Sequence, residues 1–192
     1  RTTFVFALVS VPGISVVALG LALILAQKLK AINVFRSIYF MPSVMPMVAI
    51  SLTWFYVLRP DTGPLAGLLA LVGIESPRWL GDVRWALPAL ILINIWFNFG
   101  AQMVIYLAGI KGIPQELYEV AQIDGAGQWA KFRHVTLPML SPTVFLNLVL
   151  GIIGAMQVFD IPYVMTRGGP NDSTRTYMLH LYNRGWVEIQ MG

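Results

Sequence analysis

The sequence has no cysteine among its 192 residues, and only 11% of its residues are Asp, Glu, Lys or Arg. Without cysteine the chain has no disulfide framework, no thiolate nucleophile and no cysteine-based zinc site. His134 and His180 lie far apart and form a poor metal-binding pair, so we expect neither a metal nor a cofactor. A soluble domain has about a quarter of its residues charged, so this shortage of charge indicates a protein that lies in a membrane.

Charge is absent altogether from four long stretches, residues 2–27, 37–58, 85–110 and 134–159. Each stretch is long enough to cross the hydrocarbon core of a bilayer, which takes about 20 apolar residues. Lipid offers no hydrogen-bond partner to the backbone, and the alternation typical of a membrane barrel strand is missing, so each stretch is predicted to be a helix. The predicted fold is an all-α integral membrane protein, a polytopic helical bundle with at least four transmembrane helices.

The second stretch contains Pro42 and Pro46, each of which removes a backbone donor. They predict a kink, which serves either packing or function. Residues 62–74 are apolar but too few to span, which favours an interfacial or re-entrant helix. Because the chain starts at Arg1 without Met and ends on a polar, aromatic stretch, we interpret residues 1–192 as a single membrane domain that is truncated at both ends.

The net charge of +4 is spread over the loops and leaves no basic patch for nucleic acid. Basic residues are equally numerous on the two sides of the predicted membrane, so their number does not orient the chain. All four lysines nevertheless fall on one side, and basic loops are typical of the cytoplasmic face. These lysines are Lys28, Lys30, Lys111 and Lys131.

The most informative segment is residues 111–138, which lies between the third and fourth predicted spans and balances acidic against basic side chains. Pro114 suits the first position of a helix, and acidic residues favour the start of one. The pattern predicts a helix over 115–124 with an apolar stripe, a turn at Gly125 and Gly127, and a second amphipathic piece over 128–135. A pair of helices lying on the membrane surface would also explain this pattern.

The spacing of residues within this segment indicates a family. It reads Glu119-Val120-Ala121, then Gly125, then Val135-Thr136-Leu137-Pro138. This order resembles the cytoplasmic signature of the binding-protein-dependent ABC import permeases, which is E-A-A, three residues, G, nine residues and then I-x-L-P. Val120 and Val135 depart from the strict signature conservatively, and the spacing is kept.

The resemblance extends from about residue 34 to residue 174. Phe35-Arg36 with Pro42, Pro46 and Trp54 looks like the second-span pattern of the family, and Leu107-Ala108-Gly109 with Ile113-Pro114 looks like its lead-in to the signature. Gly168-Gly169-Pro170 with Thr174 is similar to the GGP…T loop of the carbohydrate branch. The chain therefore resembles the sugar-type ABC permeases, of the maltose or glycerol-phosphate kind.

The resemblance implies a multi-pass subunit of a bacterial or archaeal cytoplasmic (inner) membrane that is not itself an enzyme. The helix over 115–124 is then the coupling helix, which docks into a cleft of a separate cytoplasmic ABC ATPase subunit. The other implied partners are a second permease subunit, an extracytoplasmic solute-binding protein, membrane lipid and a sugar-like solute that is moved by alternating access. The residues implied in ATPase coupling are Glu116, Glu119, Ala121, Asp124, Gly125, Leu137 and Pro138.

Uncharged polar residues lie inside the third and fourth predicted spans, namely Asn94, Asn98, Gln102, Asn147 and Gln157. The spans hold no carboxylate or base at mid-depth, whereas ion-coupled carriers commonly keep one. The first three recur every four residues and so share one face of a helix. A neutral hydrogen-bonding lining suits polyols and predicts a substrate pathway, and hydrogen bonds between helices are the alternative.

The segment from Asp160 to Trp186 is expected outside the cell by alternation of the spans. Its turn at Gly168, Gly169 and Pro170, with Thr174, resembles a loop that approaches the solute-binding protein, and a simple surface turn is the alternative. An intramembrane enzyme is disfavoured because the spans lack a nucleophile, a metal site and an acid–base pair. An ABC permease for a non-sugar solute, and a channel or membrane scaffold, are the remaining alternatives.

Overall fold

The structure is a computed structural model that describes residues 1–27 and 32–188, and every regular element within them is helical. A helix pairs its backbone groups within its own segment, which is what long apolar stretches require in lipid. The α-helices are α1 (Thr2–Leu25), α2 (Ile32–Val44), α3 (Met47–Val57), α4 (Pro64–Leu71), α5 (Val83–Lys111), α6 (Gln115–Ile123), α7 (Gln128–Lys131), α8 (Leu137–Met139), α9 (Ser141–Met156), α10 (Asp160–Met165) and α11 (Tyr177–Tyr182). Two π-helical turns, Phe132–Thr136 and Asn183–Val187, follow α7 and α11.

Three of the described helical segments are long and apolar enough to cross a membrane: Thr2–Leu25, Val83–Lys111 and Gln128–Met165. They coincide with the first, third and fourth predicted spans, which are therefore confirmed. The second amphipathic piece predicted at 128–135 is not a separate helix, because it runs directly into the fourth span. The lysines Lys28 and Lys30 lie outside the described residues.

The second predicted span is two helices rather than one. α2 and α3 meet at 95° across a short break, so residues 1–27 and 32–188 contain up to four crossing segments if this bent pair counts as one. Pro46 adopts extended backbone immediately before α3, whereas Pro42 lies within α2. A proline has no N–H to donate and its ring clashes with the preceding turn, so the predicted kink becomes a complete break at Pro46.

The short apolar segment predicted at 62–74 is confirmed as a short helix, α4. Pro64 occupies its first turn, where the missing N–H costs nothing. Gly63 precedes the helix with extended backbone, and a Cβ there would lie 2.5 Å from the backbone oxygens of Val57 and Arg59. Only glycine fits this close return of the chain after α3.

Contacts group the chain into two units, the first of which comprises Arg1–Val11, Val44–Trp96 and the chain from Ile152 onwards. In this unit α3 packs along α10. The backbone N–H of Tyr177 donates to the Thr3 hydroxyl over 2.8 Å, which holds the start of α11 against α1.

The second unit comprises Pro12–Ser43 and Phe97–Gly151. In this unit α2 approaches α5 most closely at a glycine, because a Cβ on Gly100 would clash with the backbone oxygen of Tyr39. The buried Tyr106 of α5 donates its hydroxyl hydrogen to Ser15 of α1 over 3.3 Å. The segment that carries the candidate site, from the end of α5 to the start of α9, lies wholly in this unit.

Candidate functional site

The helix predicted at 115–124 is confirmed as α6, which the structure ends one residue earlier, at Ile123. Pro114 precedes α6 with extended backbone, and the buried side chain of Ile113 anchors the chain beside it. Gly125 leaves the helix at a φ of +77°, which residues with a Cβ avoid. No atom lies within 4 Å of the position that a Cβ on Gly125 would take, so the need for glycine is conformational and not steric.

Three apolar side chains of α6 and one of α7 are uncovered. Leu117, Val120 and Ile123 are 39%, 56% and 85% exposed, and Trp129 at the start of α7 is 71% exposed. An amphipathic helix of a soluble domain packs such a stripe against its own core. Several large apolar side chains exposed on one short helix are instead typical of a surface that binds a partner or a membrane.

The predicted coupling residues differ in their surroundings. Glu116, Glu119 and Asp124 are all exposed, and within residues 1–27 and 32–188 none of them forms an ion pair. Ala121 is half-buried on the side of α6 that faces the protein. Leu137 and Pro138, also exposed, form the first turn of α8 and so belong to the base of the fourth span rather than to α6.

Two side-chain hydrogen bonds join α6 to the base of the fourth span. The hydroxyl oxygens of Tyr118 and Thr136 lie 3.0 Å apart, and Lys131 Nζ donates to Gln122 Oε1 over 3.1 Å. The sequence reasoning missed these four residues. The spacing of Tyr118 and Gln122, one helical turn apart and opposite the apolar stripe, was the available signal.

The fourth span begins with the π-helical turn Phe132–Thr136, in which the N–H of Leu137 donates to the carbonyl of Phe132, five residues back. Pro138 has no N–H for the carbonyl of His134, so the regular α-helical ladder cannot continue through this point. The π turn absorbs that loss and adds one residue to the turn. Thr136 is 5% exposed, and its hydroxyl also lies 3.5 Å from the carbonyl oxygen of Lys131.

A cavity of about 860 Å³ lies beneath α6. Tyr118 and Thr136 form part of its wall, and Lys111 and Lys131 are the charged residues of its lining in the described part of the chain. The apolar part of the wall comes from the ends of α1 and α5 and from the start of the fourth span. An open cleft therefore lies on the inner side of α6.

The structure brings two of the predicted pathway residues together. Gln102 and Asn147 are 9% and 0% exposed, and Gln102 Nε2 donates to the backbone oxygen of Asn147 over 3.5 Å. Gln102 Oε1 and both polar side-chain atoms of Asn147 are buried without a protein partner in the described part of the chain. Buried amide groups with unused hydrogen-bonding capacity suit a water molecule or a polar ligand.

The other predicted pathway residues differ in how exposed they are. Asn94 is 6% exposed and Asn98 is half-buried, and both lie on α5 with Gln102. Gln157 follows α9 and is exposed.

The predicted external loop is held from inside by Thr174, which is fully buried. Its hydroxyl donates to the carbonyl of Gly169 over 2.8 Å and lies 2.7 Å from the hydroxyl of Thr166. Gly168 has a φ of +90°, and the peptide bond between Gly169 and Pro170 is cis. The exposed residues of this loop are Arg167, Asn171 and Asp172.

An aromatic cluster adjoins this loop. The rings of Phe159 and Tyr163 stack with centroids 5.0 Å apart, and Tyr182 contacts both of them. A hydrogen bond with the Tyr163 phenol raises the pKa of Tyr182 above its ordinary value of 10.0. Tyr182 is therefore neutral at physiological pH.

In the part of the chain that the structure describes, no group of three or more His, Asp and Glu side chains is placed to hold a metal ion.

Comparison with known proteins gives close relatives in sequence. The family described as "Binding-protein-dependent transport system inner membrane component" matches residues 4–184. The trehalose/maltose transport system permease protein of Thermococcus litoralis is 36% identical over 185 residues, covering 95% of this chain and 63% of that protein. The lactose transport system permease protein of Rhizobium radiobacter is 36% identical over 188 residues, with the same two coverages. The chain spans less than two thirds of the length of these relatives.

A solved structure is also similar. The crystal structure of a bacterial alginate ABC transporter in complex with an alginate pentasaccharide-bound periplasmic protein matches with a TM-score of 0.89 at 25% identity. The match covers 98% of this chain and 66% of the matched chain. The match therefore includes nearly the whole helical fold described above, with the bent second segment and the short α6.

Proposed function

We propose that this chain, which belongs to the family of binding-protein-dependent transport system inner membrane components, is part of a permease subunit of an ATP-driven importer. In this proposal the protein lies in a bacterial or archaeal inner membrane and forms part of the pathway for a sugar or sugar-like solute. ATP is hydrolysed by a separate subunit. The observation that carries the proposal is α6, a short acidic helix whose apolar stripe of Leu117, Val120 and Ile123 is exposed.

The solute is proposed to be a sugar because of what the relatives are named for. Two of them are permease proteins for trehalose and maltose and for lactose, and the similar structure is an alginate transporter. The Gly168-Gly169-Pro170…Thr174 loop, which resembles that of the carbohydrate branch, supports the same assignment. A permease for another solute of the same family is the alternative that an uptake experiment decides.

In the proposed mechanism α6 docks into a cleft of the ATPase subunit on the cytoplasmic side. An amphipathic helix that lays its apolar face into a groove is a common mode of recognition. Glu116 and Glu119 are then the groups that pair with a basic rim, and such pairs set orientation and specificity more than affinity. Gly125 permits the sharp turn that leaves α6 protruding.

The remaining proposed partners are a second permease subunit, membrane lipid and an extracytoplasmic solute-binding protein. The loop around Gly168 to Thr174 is proposed to face the solute-binding protein, with Arg167, Asn171 and Asp172 as its exposed groups. The proposed substrate pathway includes Gln102 and Asn147, whose buried amide groups keep hydrogen-bonding capacity. Asn94, Asn98 and Gln157 are included with them on the strength of the sequence pattern.

The orientation can be tested directly because the chain has no cysteine. We expect Glu119→Cys to react with a membrane-impermeant maleimide in inverted membrane vesicles. It should not react in spheroplasts, in which only the outer side of the inner membrane is accessible. Asn171→Cys, on the exposed external loop, should show the opposite pattern. Labelling of Glu119→Cys from outside the cell would overturn the proposal.

The activity is tested by reconstituting the full-length protein with its ATPase, its second permease and its solute-binding protein in liposomes. We expect ATP-dependent uptake of one of trehalose, maltose and lactose. Glu119→Lys should abolish this uptake while the protein still inserts, whereas Glu75→Lys, an equal charge change at another exposed position, should leave it intact. Uptake that persists in Glu119→Lys contradicts the docking role of α6.

A further inference from the structure

The two hydrogen bonds between α6 and the base of the fourth span come from one face of each helix. Tyr118 and Gln122 are four residues apart on α6, so both side chains lie on the same side. Their partners, Lys131 and Thr136, are five residues apart. In a regular α-helix, residues five apart are rotated by about 140° from one another and do not share a face.

The π turn Phe132–Thr136 resolves this mismatch. Its hydrogen bonds run five residues back, and the 3.5 Å contact from the Thr136 hydroxyl to the carbonyl oxygen of Lys131 follows the same spacing. The extra residue in the turn brings Thr136 round to the side of Lys131. The π turn therefore sets the register that lets Tyr118 reach Thr136.

Side-chain packing contributes less to the contact between α6 and the fourth span than it does to a filled protein core. The 860 Å³ cavity lies between α6 and the spans, and Tyr118 and Thr136 stand in its wall. The outer face of α6 is exposed, so it is not pressed against the chain from that side. The side-chain hydrogen bonds consequently have a large part in fixing α6 relative to the fourth span.

Thr136 lies on the same span as Asn147, a buried polar residue of the proposed pathway. Asn147 on α9 lies eleven positions after Thr136, which is about three helical turns or about 16 Å. α8 and α9 are separated by a turn at Leu140, and the backbone hydrogen bonds from Leu140 to Thr136 and from Val144 to Leu140 keep the two helices in one span. Thr136 and Asn147 therefore lie on one continuous span, and α6 contacts that span at Thr136.

We propose that the Tyr118–Thr136 hydrogen bond is the link through which α6 moves the fourth span. Tyr118 and Thr136 are positioning residues, which touch neither solute nor nucleotide. The inference rests on the proposed function and adds to it the pair that transmits motion from the docking helix. Glu119 and its neighbours bind the ATPase, whereas Tyr118 and Thr136 connect the bound helix to the pathway.

The test measures how many solute molecules are transported for each ATP hydrolysed, in liposomes that contain the complete transporter. Tyr118→Phe and Thr136→Val remove one hydroxyl each and keep the shape of the side chain. We expect each variant to lower this ratio about five-fold with co-purification of the ATPase unchanged, and to lower the thermal unfolding midpoint only slightly. The double variant should be no worse than Thr136→Val alone, because Thr136→Val already removes the bond to Tyr118.

Three controls accompany these variants. Thr136→Ser keeps the hydroxyl and should retain the wild-type ratio. Tyr56→Phe removes a hydroxyl from an exposed tyrosine of α3 and should have no effect. Lys131→Met removes the more exposed of the two hydrogen bonds and should lower the ratio less than Tyr118→Phe does.

The outcomes separate this inference from the function on which it rests. A wild-type transporter that couples ATP to uptake, with Tyr118→Phe and Thr136→Val equally coupled, overturns the inference alone. The inference also fails if the losses in the double variant multiply, or if the two variants lower only the unfolding midpoint. A wild-type chain that couples to no ATPase overturns the proposed function, and the inference with it.

Discussion

Gly109 of α5 faces Thr143 of α9 so closely that a Cβ at position 109 would lie 2.7 Å from the threonine hydroxyl oxygen. An alanine at this position has to displace the Thr143 side chain, and overpacking of this kind costs about 1–3 kcal/mol. We predict that Gly109→Ala lowers the free energy of unfolding by that amount. Adding Thr143→Ala removes the obstructing atoms and should recover most of the loss, as measured by thermal unfolding in detergent.

Gly154 of α9 is the matched control, because a Cβ there would meet no atom within 4 Å. Alanine is favoured over glycine inside a helix by about 0.5–1 kcal/mol. Gly154→Ala should therefore be neutral or slightly stabilising. A loss as large as that of Gly109→Ala, or no recovery in the double variant, would show that helix propensity and not close packing decides the effect.

Gly100 gives a stricter version of the same prediction. A Cβ on Gly100 would clash with the backbone oxygen of Tyr39 and lie 3.1 Å from the Cα of Phe40. Backbone atoms cannot rotate aside as a side chain does, so α2 itself has to move. We expect Gly100→Ala to lower the yield of folded protein more than Gly109→Ala does, and Tyr39→Ala should not restore it. Folded yield after size-exclusion chromatography measures both effects.

The sequence was sufficient for those parts of the fold that depend on local chemistry. Long uncharged stretches located α1, α5 and the fourth span, and Pro114 with Gly125 bounded α6 to within one residue. The 95° break between α2 and α3 could not be read from Pro46, because a proline removes a hydrogen bond but the angle is set by what packs on each side.

Contacts between residues that lie far apart in the chain could not be predicted from the sequence either. The hydrogen bond between Tyr118 and Thr136 depends on the π turn Phe132–Thr136, which shifts the register of the fourth span by one residue. The sequence predicts Thr174 as part of an external loop, but its burial depends on the turn that folds back around its hydroxyl, which the sequence pattern does not show.

Gly125 is predicted to tolerate some side chains and not others. Its φ of +77° is accessible to asparagine, but for a β-branched residue this left-handed conformation costs about 1–2 kcal/mol. Gly125→Asn should therefore keep solute-dependent ATPase activity near the wild-type level, whereas Gly125→Val should lower it several-fold by unwinding the end of α6. Gly127→Val is the control, because Gly127 has a φ of −69° and open space for a Cβ. Equal loss in both valine variants would mean that bulk at the docking surface, and not backbone conformation, is responsible.

Thr174 is predicted to stabilise the external loop through its hydroxyl. Thr174→Val keeps the shape but leaves the carbonyl of Gly169 and the hydroxyl of Thr166 without this partner, and an unpaired buried group costs about 1–3 kcal/mol. We expect faster proteolysis of the loop and weaker binding of the solute-binding protein, both restored by Thr174→Ser. Thr53→Val removes an exposed hydroxyl that bonds to its own helix and should change neither measurement. Unchanged proteolysis in Thr174→Val would show that the turn is held by its backbone alone.

Gln102 and Asn147 distinguish a solute pathway from simple adhesion between helices. If their buried amide groups contact the solute, Gln102→Leu and Asn147→Leu should each raise the KM for uptake about ten-fold, which corresponds to about 1.4 kcal/mol, while the unfolding midpoint changes little. If they only join α5 to α9, each substitution should leave the KM unchanged and lower the unfolding free energy, since hydrogen bonds between membrane helices contribute about 0.6 kcal/mol on average. Uptake kinetics and thermal unfolding of the same preparations decide between the two. The pathway assignment predicts the first result, because Gln102 Oε1 and the Asn147 side chain have capacity that their mutual contact does not use.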